Sequence, residues 1–242
     1  MLVLFTDFGL HGPYVGQLKA AIAQFAPGIP VIDLFHDIPP FNIQGAAYLL
    51  VVYSQEFAKG TTFIGVIDPG VGGQREGIIM MADERYYVGP DNGLFDRVAA
   101  RAETVQTWHI RWRGQRLSAS FHGRDIFAPV AAMLISGKTA DQLGERCVVE
   151  FRDWPDELEQ VVYIDRYGNV MTGIRASSLT PNAIVVASGH EFPRARTFGD
   201  ALLGETFWYA NSSGLVELAI NQGSAASKFR LAVKDPVQVL QA

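Results

Sequence analysis

A single cysteine, Cys147, stands in 242 residues. No intrachain disulfide can form from it, and no thiolate cluster can hold a metal. There is no excess of basic residues: Lys and Arg number 20 against 25 Asp and Glu, a formal net charge of -5. Nucleic acid rewards clustered Lys and Arg, so it is not an expected partner. A cationic ligand is not opposed by such a field. No apolar run reaches the length of a membrane span, and no membrane partner is expected. The opening MLVLFTDFGL has no basic stretch and meets Asp7 too early for a signal peptide. These absences predict a cytoplasmic location. Internal repeats and low-complexity tracts are lacking. So are HExxH, a paired CxxC, the Walker phosphate loop and the spaced-glycine dinucleotide fingerprint; VGGQREG has glycines but neither spacing.

What is present suits a well-filled core. Hydrophobic residues make up 48% and charged residues 19%. The first half alternates two kinds of segment. LVLFT (2–6) reads as a strand closing at the turn DFGLHG. Pro13 suits a first helical turn, and Val15, Leu18, Ile22 and Phe25 follow at helical spacing until Pro27. PVIDLF reads as a second strand. Ala46, Ala47, Leu50 and Tyr53 fit one helix face, and TTFIGVID is a third strand running into PGVGGQR. GIIMMA and YYVG read as strands around a turn at Asp83–Glu84. A helix after FHGRD carries Ile126, Phe127, Val130 and Leu134 on one face. Such alternation predicts an α/β domain with a mainly parallel central sheet covered on both faces.

The pattern changes near residue 150. RDWPDELEQ is polar, charged and interrupted by Pro155, as a linker would be. Short strands punctuated by turns follow: VVYID, VMTGI, IVVAS, GHEF, FWYAN, LVELAI, FRLAV and VQVL. That spacing predicts a smaller antiparallel β-barrel or sandwich. The expected domains are 1–155 and 156–242.

Asp7, Asp33, His36, Asp37, Asp68, His122 and Asp125 include side chains of the types that ligate oxygen-bound metals. Each also has a plainer use: an Asp at a strand end often caps a turn. Asp7 follows the first strand and Asp68 the third. In an open α/β sheet, ligands gather at the carboxyl ends of strands. Residue chemistry alone therefore gives a cleft with carboxylates and no reaction.

The wording of several segments is more specific. TDFGL (6–10), HDIPPFNIQGAAYLL (36–50), VIDPGVGGQREGI (66–78), VGPDNGLF (88–95), FHGRDIFAPVAA (121–132), IDRYGNVMTGI (164–174) and NSSGLVELAIN (211–221) occur in this order. Together they resemble the signature blocks of the S-adenosylmethionine (SAM) hydroxide adenosyltransferases, relatives of the SAM-dependent fluorinases and chlorinases. The resemblance implies an N-terminal α/β domain, a C-terminal β-barrel domain, and a homotrimer with sites between subunits. SAM is then the substrate, split by water into adenosine and methionine, with no metal and no cofactor. Asp68, Arg75 and His122 match the set that assists the water. Asp7 matches the carboxylate on the ribose hydroxyls, and Phe41 an aromatic lining the site. Asn169 matches a contact to the methionine end and Phe198 an aromatic against adenine. Ser212, Ser213 and the backbone near Asn221 and Gln222 match an adenine-reading strand pair. The halogenating relatives carry SRG where this chain has SSG at 212–214.

Those residue types suit the reaction. A sulfonium leaves as a neutral thioether, so the difficulty lies with water, which must be held in line with the breaking bond. Arg75 stays protonated and cannot be a base; Asp68 or His122 can accept the proton. Two other readings compete. A halogenase needs a dry halide pocket, which a neighbouring Asp and His oppose. A SAM or adenosine sensor needs no catalytic set at all.

Overall fold

All five side chains of strand β1 (Leu2–Thr6) are buried, and the sheet of the first half grows outward from it. The computed structural model describes residues 1–241. After β1 come α1 (Tyr14–Phe25), β2 (Val31–Phe35), α2 (Ile43–Tyr53), β3 (Thr62–Val66), β4 (Gly77–Ala82), β5 (Arg85–Pro90) and α3 (Asp96–Arg101). Then follow β6 (Val105–Ile110), α4 (Ala128–Ile135) and β7 (Gly144–Cys147). The seven strands form one sheet in the order β2-β1-β3-β5-β4-β6-β7.

The sheet is mixed, where the alternation predicted a mainly parallel one. β2, β1, β3 and β5 run parallel. β4 is antiparallel to both β5 and β6, and β6 to β7. The cause is local. Asp83 and Glu84 both hold positive φ, 45° and 64°, the backbone of a two-residue hairpin turn, and a hairpin can join only antiparallel strands. Strand alternation then sorts the core. Leu2 and Leu4 pack in one cluster with Leu18 and Ile22 of α1 and Phe127, Val130 and Ala131. On the other parity, Phe5 meets Phe35 edge-on, and Phe35 meets Tyr53 of α2.

The division into compact units falls between Asp153 and Trp154. The second unit contains β8 (Leu158–Ile164), β9 (Val170–Arg175), β10 (Ile184–Ala187), β11 (His190–Phe192), β12 (Thr206–Ala210), β13 (Leu215–Ile220), α5 (Ala225–Phe229) and β14 (Val237–Leu240). They form two antiparallel sheets, β12-β13-β9-β8 and β11-β10-β14. Isolated bridges join Gln160 to Pro236 and Arg194 to Trp208. Trp208 is the largest fully buried side chain, and its indole N–H donates to the Ala183 carbonyl at 2.8 Å. Burying a ring of this size removes about 200 Å² from water, worth about 5 kcal/mol at about 25 cal/mol per Å².

One predicted strand is absent. FRLAV (229–233) alternates like a strand, yet its Phe229 ends α5 and Arg230 takes a left-handed conformation, φ 54°. Ser224 decides this locally: its side chain accepts from the Ser227 N–H and caps a helix start. Among the described residues, no helix is long and apolar enough to cross a membrane.

Candidate functional site

The parallel register sets Thr6 of β1 beside Val66 of β3. The loops that follow therefore leave the sheet edge together, and the Asp7 N–H reaches the Val66 carbonyl at 3.4 Å. Asp7, Phe8, Phe41, Val66, Asp68, Val71, Ser120, Phe121, His122 and Gly123 line a cavity of about 110 Å³ there. Pockets for whole small molecules run to about 300–1,000 Å³, so this one fits only part of a ligand.

Asp68, Arg75 and His122 are brought together. Arg75 Nε donates to Asp68 Oδ1 at 2.9 Å, and its Nη2 donates to Asp68 Oδ2. The same Nη2 lies 3.0 Å from His122 Nδ1. A further N–H points to the Glu76 carbonyl at 3.4 Å, and the guanidinium sits 5.3 Å over the Phe127 ring. The Asp68 and Arg75 side chains are only 6% and 13% exposed, so the pair is more than a surface loop bridge. Asp68 and His122 line the cavity, while Arg75 is not among its lining residues.

The donor inventory assigns the proton on His122. Guanidinium only donates, so Nδ1 accepts and the neutral ring carries its hydrogen on Nε2. Burial pushes the His122 pKa below the ordinary imidazole value, and the Arg75 charge adds to the effect. His122 precedes the wide π-type turn Gly123–Phe127 that leads into α4, but its side chain makes no capping hydrogen bond there.

Asp7 accepts the Phe41 N–H at 3.2 Å. Phe41 holds a positive φ of 63° and is 69% exposed. Burial raises the Asp7 pKa above the usual carboxylate range; backbone N–H groups pull it back, and the Asp68 charge raises it further.

In the second unit, a cavity of about 600 Å³ is lined by Asp165, Tyr167, Asn169, Phe198, Tyr209, Ile220, Gln222 and Gly223. Asn169, Phe198 and Gln222 of the expected set thus share one cavity. Asn169 is buried, with its side-chain amide donating to Asp165 Oδ2 at 3.0 Å. Phe198 packs edge-on against Phe207 and Tyr209. The remaining three residues are placed differently. Ser212 and Ser213 lie in the turn at one end of the β12–β13 hairpin, and Asn221 follows β13 at the other. The Asn221 backbone is already committed: its N–H donates to Glu205 and its carbonyl accepts from Gly204. Its side chain donates to the Ala201 carbonyl at 2.8 Å.

Residue reading missed Asp165, Tyr167 and Tyr209. Asp165 Oδ1 accepts the N–H groups of Tyr167 and Asn169 at 2.9 and 2.8 Å, which folds the RYGN turn around it. Tyr209 donates its hydroxyl to buried Glu217 at 2.7 Å. Burial raises the Glu217 pKa, with the Asn211 and Tyr209 hydrogen bonds opposing. A charged residue inside the apolar run LVELAI was the available signal.

Of the other side chains considered as metal ligands, Asp125 accepts from Arg124 and from the Ser118 N–H. Asp33 and His36 bond each other. Among the described residues, no three His, Cys, Asp or Glu side chains gather in a way that could hold a metal ion.

Comparison with known proteins agrees over most of the length. The model of the SAM hydroxide adenosyltransferase N-terminal domain matches residues 2–144, and that of the C-terminal domain matches 159–238. An (R)-S-adenosyl-L-methionine hydrolase from Thermus thermophilus is 35% identical, covering 97% of each chain. A fluorinase from Nocardia brasiliensis is 23% identical over 99% of this chain and 96% of its own. A solved structure from Thermotoga maritima, 33% identical, covers 100% of both chains with a TM-score of 0.90. With both of its domains matched in order, the chain belongs to the SAM hydroxide adenosyltransferase family.

Proposed function

We propose that this chain is a SAM hydrolase, splitting SAM into adenosine and methionine by attack of water at C5′ of the ribose. The observation that carries this reading is the Asp68–Arg75–His122 cluster in the wall of the cavity that Asp7 also lines. Hydrolases at 35% identity, against fluorinases at 23%, favour water over halide.

The hydrogen-bond directions divide the work. With Nδ1 accepting from Arg75, His122 offers a donor at Nε2 that can hold the water oxygen. Asp68 keeps a second lone pair on each oxygen and accepts the proton. As the C–O bond forms, the attacking oxygen gains positive charge and its proton becomes acidic, so a carboxylate is base enough. Arg75 holds both groups from behind the cavity wall. Asp7 accepts the two ribose hydroxyls. No metal enters this scheme, because the leaving group needs no Lewis acid.

Incubation with SAM yields adenosine and methionine in equal amounts by chromatography. A 5′-halo nucleoside in chloride buffer, or unchanged SAM, contradicts the reading.

The second cavity is proposed to take the remainder of SAM, through Asn169, Phe198 and Gln222. The β-barrel reading of this unit is supported by the two bridges between its sheets. We further propose a cytoplasmic homotrimer in which one chain supplies the Asp68 cavity and a neighbour the Asn169 cavity. The reading rests on the family resemblance, and the nucleophile set and the second lining set lie in separate units, as a shared site requires. Repeating one heterologous interface three times closes such a ring. Mixing Asp68→Ala and Asn169→Ala chains after reversible dissociation restores activity if sites are shared. No recovery, or an active monomer in light scattering, contradicts the sharing.

A further inference from the structure

A second line of hydrogen bonds, separate from the Asp68 cluster, runs from the surface into the end of β1. Lys19 Nζ donates to Asp33 Oδ2 at 2.5 Å. Asp33 Oδ1 lies 3.0 Å from His36 Nε2, and His36 Nδ1 lies 2.7 Å from Thr6 Oγ1. Thr6 Oγ1 in turn accepts the Phe8 N–H at 3.3 Å.

Donor chemistry gives the line one direction. Burial alone would raise the Asp33 pKa, but the bonds from Lys19 and His36 outweigh it and hold the carboxyl low. An ionised Asp33 only accepts, so His36 carries its proton on Nε2. In the neutral ring Nδ1 is then the acceptor for the Thr6 hydroxyl, whose oxygen also accepts from Phe8. The His36 carbonyl also accepts the Gly9 N–H at 2.7 Å. The Thr6 side chain before Asp7 and the Gly9 N–H after it are therefore tied to one histidine.

The order carboxylate, imidazole, hydroxyl is that of a nucleophilic triad. Thr6, however, is 0% exposed and His36 only 5%, so the hydroxyl cannot meet a substrate. We infer that Asp33, His36 and Thr6 are positioning residues that aim the Asp7 carboxylate at the ribose of the substrate. This rests on the reading of Asp7 as the ribose contact. Losing the hydroxyl leaves the Phe8 N–H and His36 Nδ1 without this partner and lets the Asp7 turn relax. Affinity then falls while the chemical step stays, because Asp68, Arg75 and His122 sit on other loops.

The test measures adenosine affinity by calorimetry and SAM kinetics for Asp7→Ala, Thr6→Val and Thr6→Ser. Thr6→Val weakens adenosine about tenfold and raises KM alike, as loss of about one buried hydrogen bond would. Its kcat stays at the wild-type value, and Thr6→Ser, which keeps the hydroxyl, restores affinity. Packing alone predicts the reverse order, since Val fills the space of Thr and Ser leaves a gap. Thr6→Ser binding worse than Thr6→Val overturns the proposal. So does wild-type binding by Thr6→Val when Asp7→Ala binds poorly. If Asp7→Ala itself binds adenosine normally, the ribose reading fails first and the positioning role falls with it. Should Thr6→Val not fold, Asp33→Asn on the rim, 42% exposed, gives the same readout. About threefold weaker adenosine binding is expected there, and unchanged affinity overturns the inference.

Discussion

Asp68→Ala lowers kcat for SAM about a thousandfold, within the range for removing a positioned proton acceptor, and leaves SAM affinity near the wild-type value. The two readouts separate because Asp68 serves the water and not the substrate. An interaction made only in the transition state is lost from kcat and kcat/KM together. The substitution also strips Arg75 of its bidentate partner inside a wall where both side chains are nearly buried. Breaking such a pair costs about 3–5 kcal/mol, so the melting temperature falls and kinetics belong well below it. Single-turnover rates with binding measured by calorimetry decide the matter. An unchanged kcat with a raised Kd would move Asp68 from the chemistry to substrate binding.

Arg75→Lys lowers kcat about a hundredfold, the scale of losing one preorganised electrostatic group, although the charge is kept. The fork is what matters. Arg75 spends Nε and Nη2 on the two Asp68 oxygens and Nη2 again on His122 Nδ1. An ammonium is a point donor on a flexible stem and cannot span all three acceptors. Loss of the bond to Nδ1 releases the tautomer that presents Nε2–H to the water. The wild-type pH profile carries the same signature. Burial and the Arg75 charge depress the His122 pKa from 6.5, so its neutral form persists into mild acid. The acid limb of kcat therefore lies below pH 6.5. Stability has the same sign: the unfolded chain binds the proton more readily, so this contribution is full above about pH 6.5 and is lost as pH falls through the depressed folded value. A limb above that value, or a fully active Arg75→Lys enzyme, contradicts the assignment.

How much of this was legible in the sequence depended on whether its cause was local. β1, α1 and α2 follow from apolar spacing with turn residues at their ends. The placement of Asp7 and Asp68 at neighbouring strand ends follows from the parallel order alone. The antiparallel half of the sheet was less legible. The Asp83–Glu84 turn was visible, but β7 has only four residues, none of them fully buried, and the pairing of β6 and β7 depends on partners distant in sequence. FRLAV carried strand alternation that the Ser224 cap overrode. In the site, the family resemblance named the cluster, which residue types alone did not, while only geometry showed Arg75 outside the cavity lining and His122 accepting through Nδ1. The Tyr209–Glu217 bond was out of reach because the hydroxyl finds its partner across the hairpin, not along the chain.

The most direct measurement of the central claim is the fate of solvent oxygen. SAM is turned over in oxygen-18 water, and the products are separated and weighed by mass spectrometry. Attack by water at C5′ places one heavy oxygen in the 5′-hydroxyl of adenosine and none in methionine. Adenosine without label, or label in the amino-acid product, would show that the bond to C5′ is not made by water and would contradict the account.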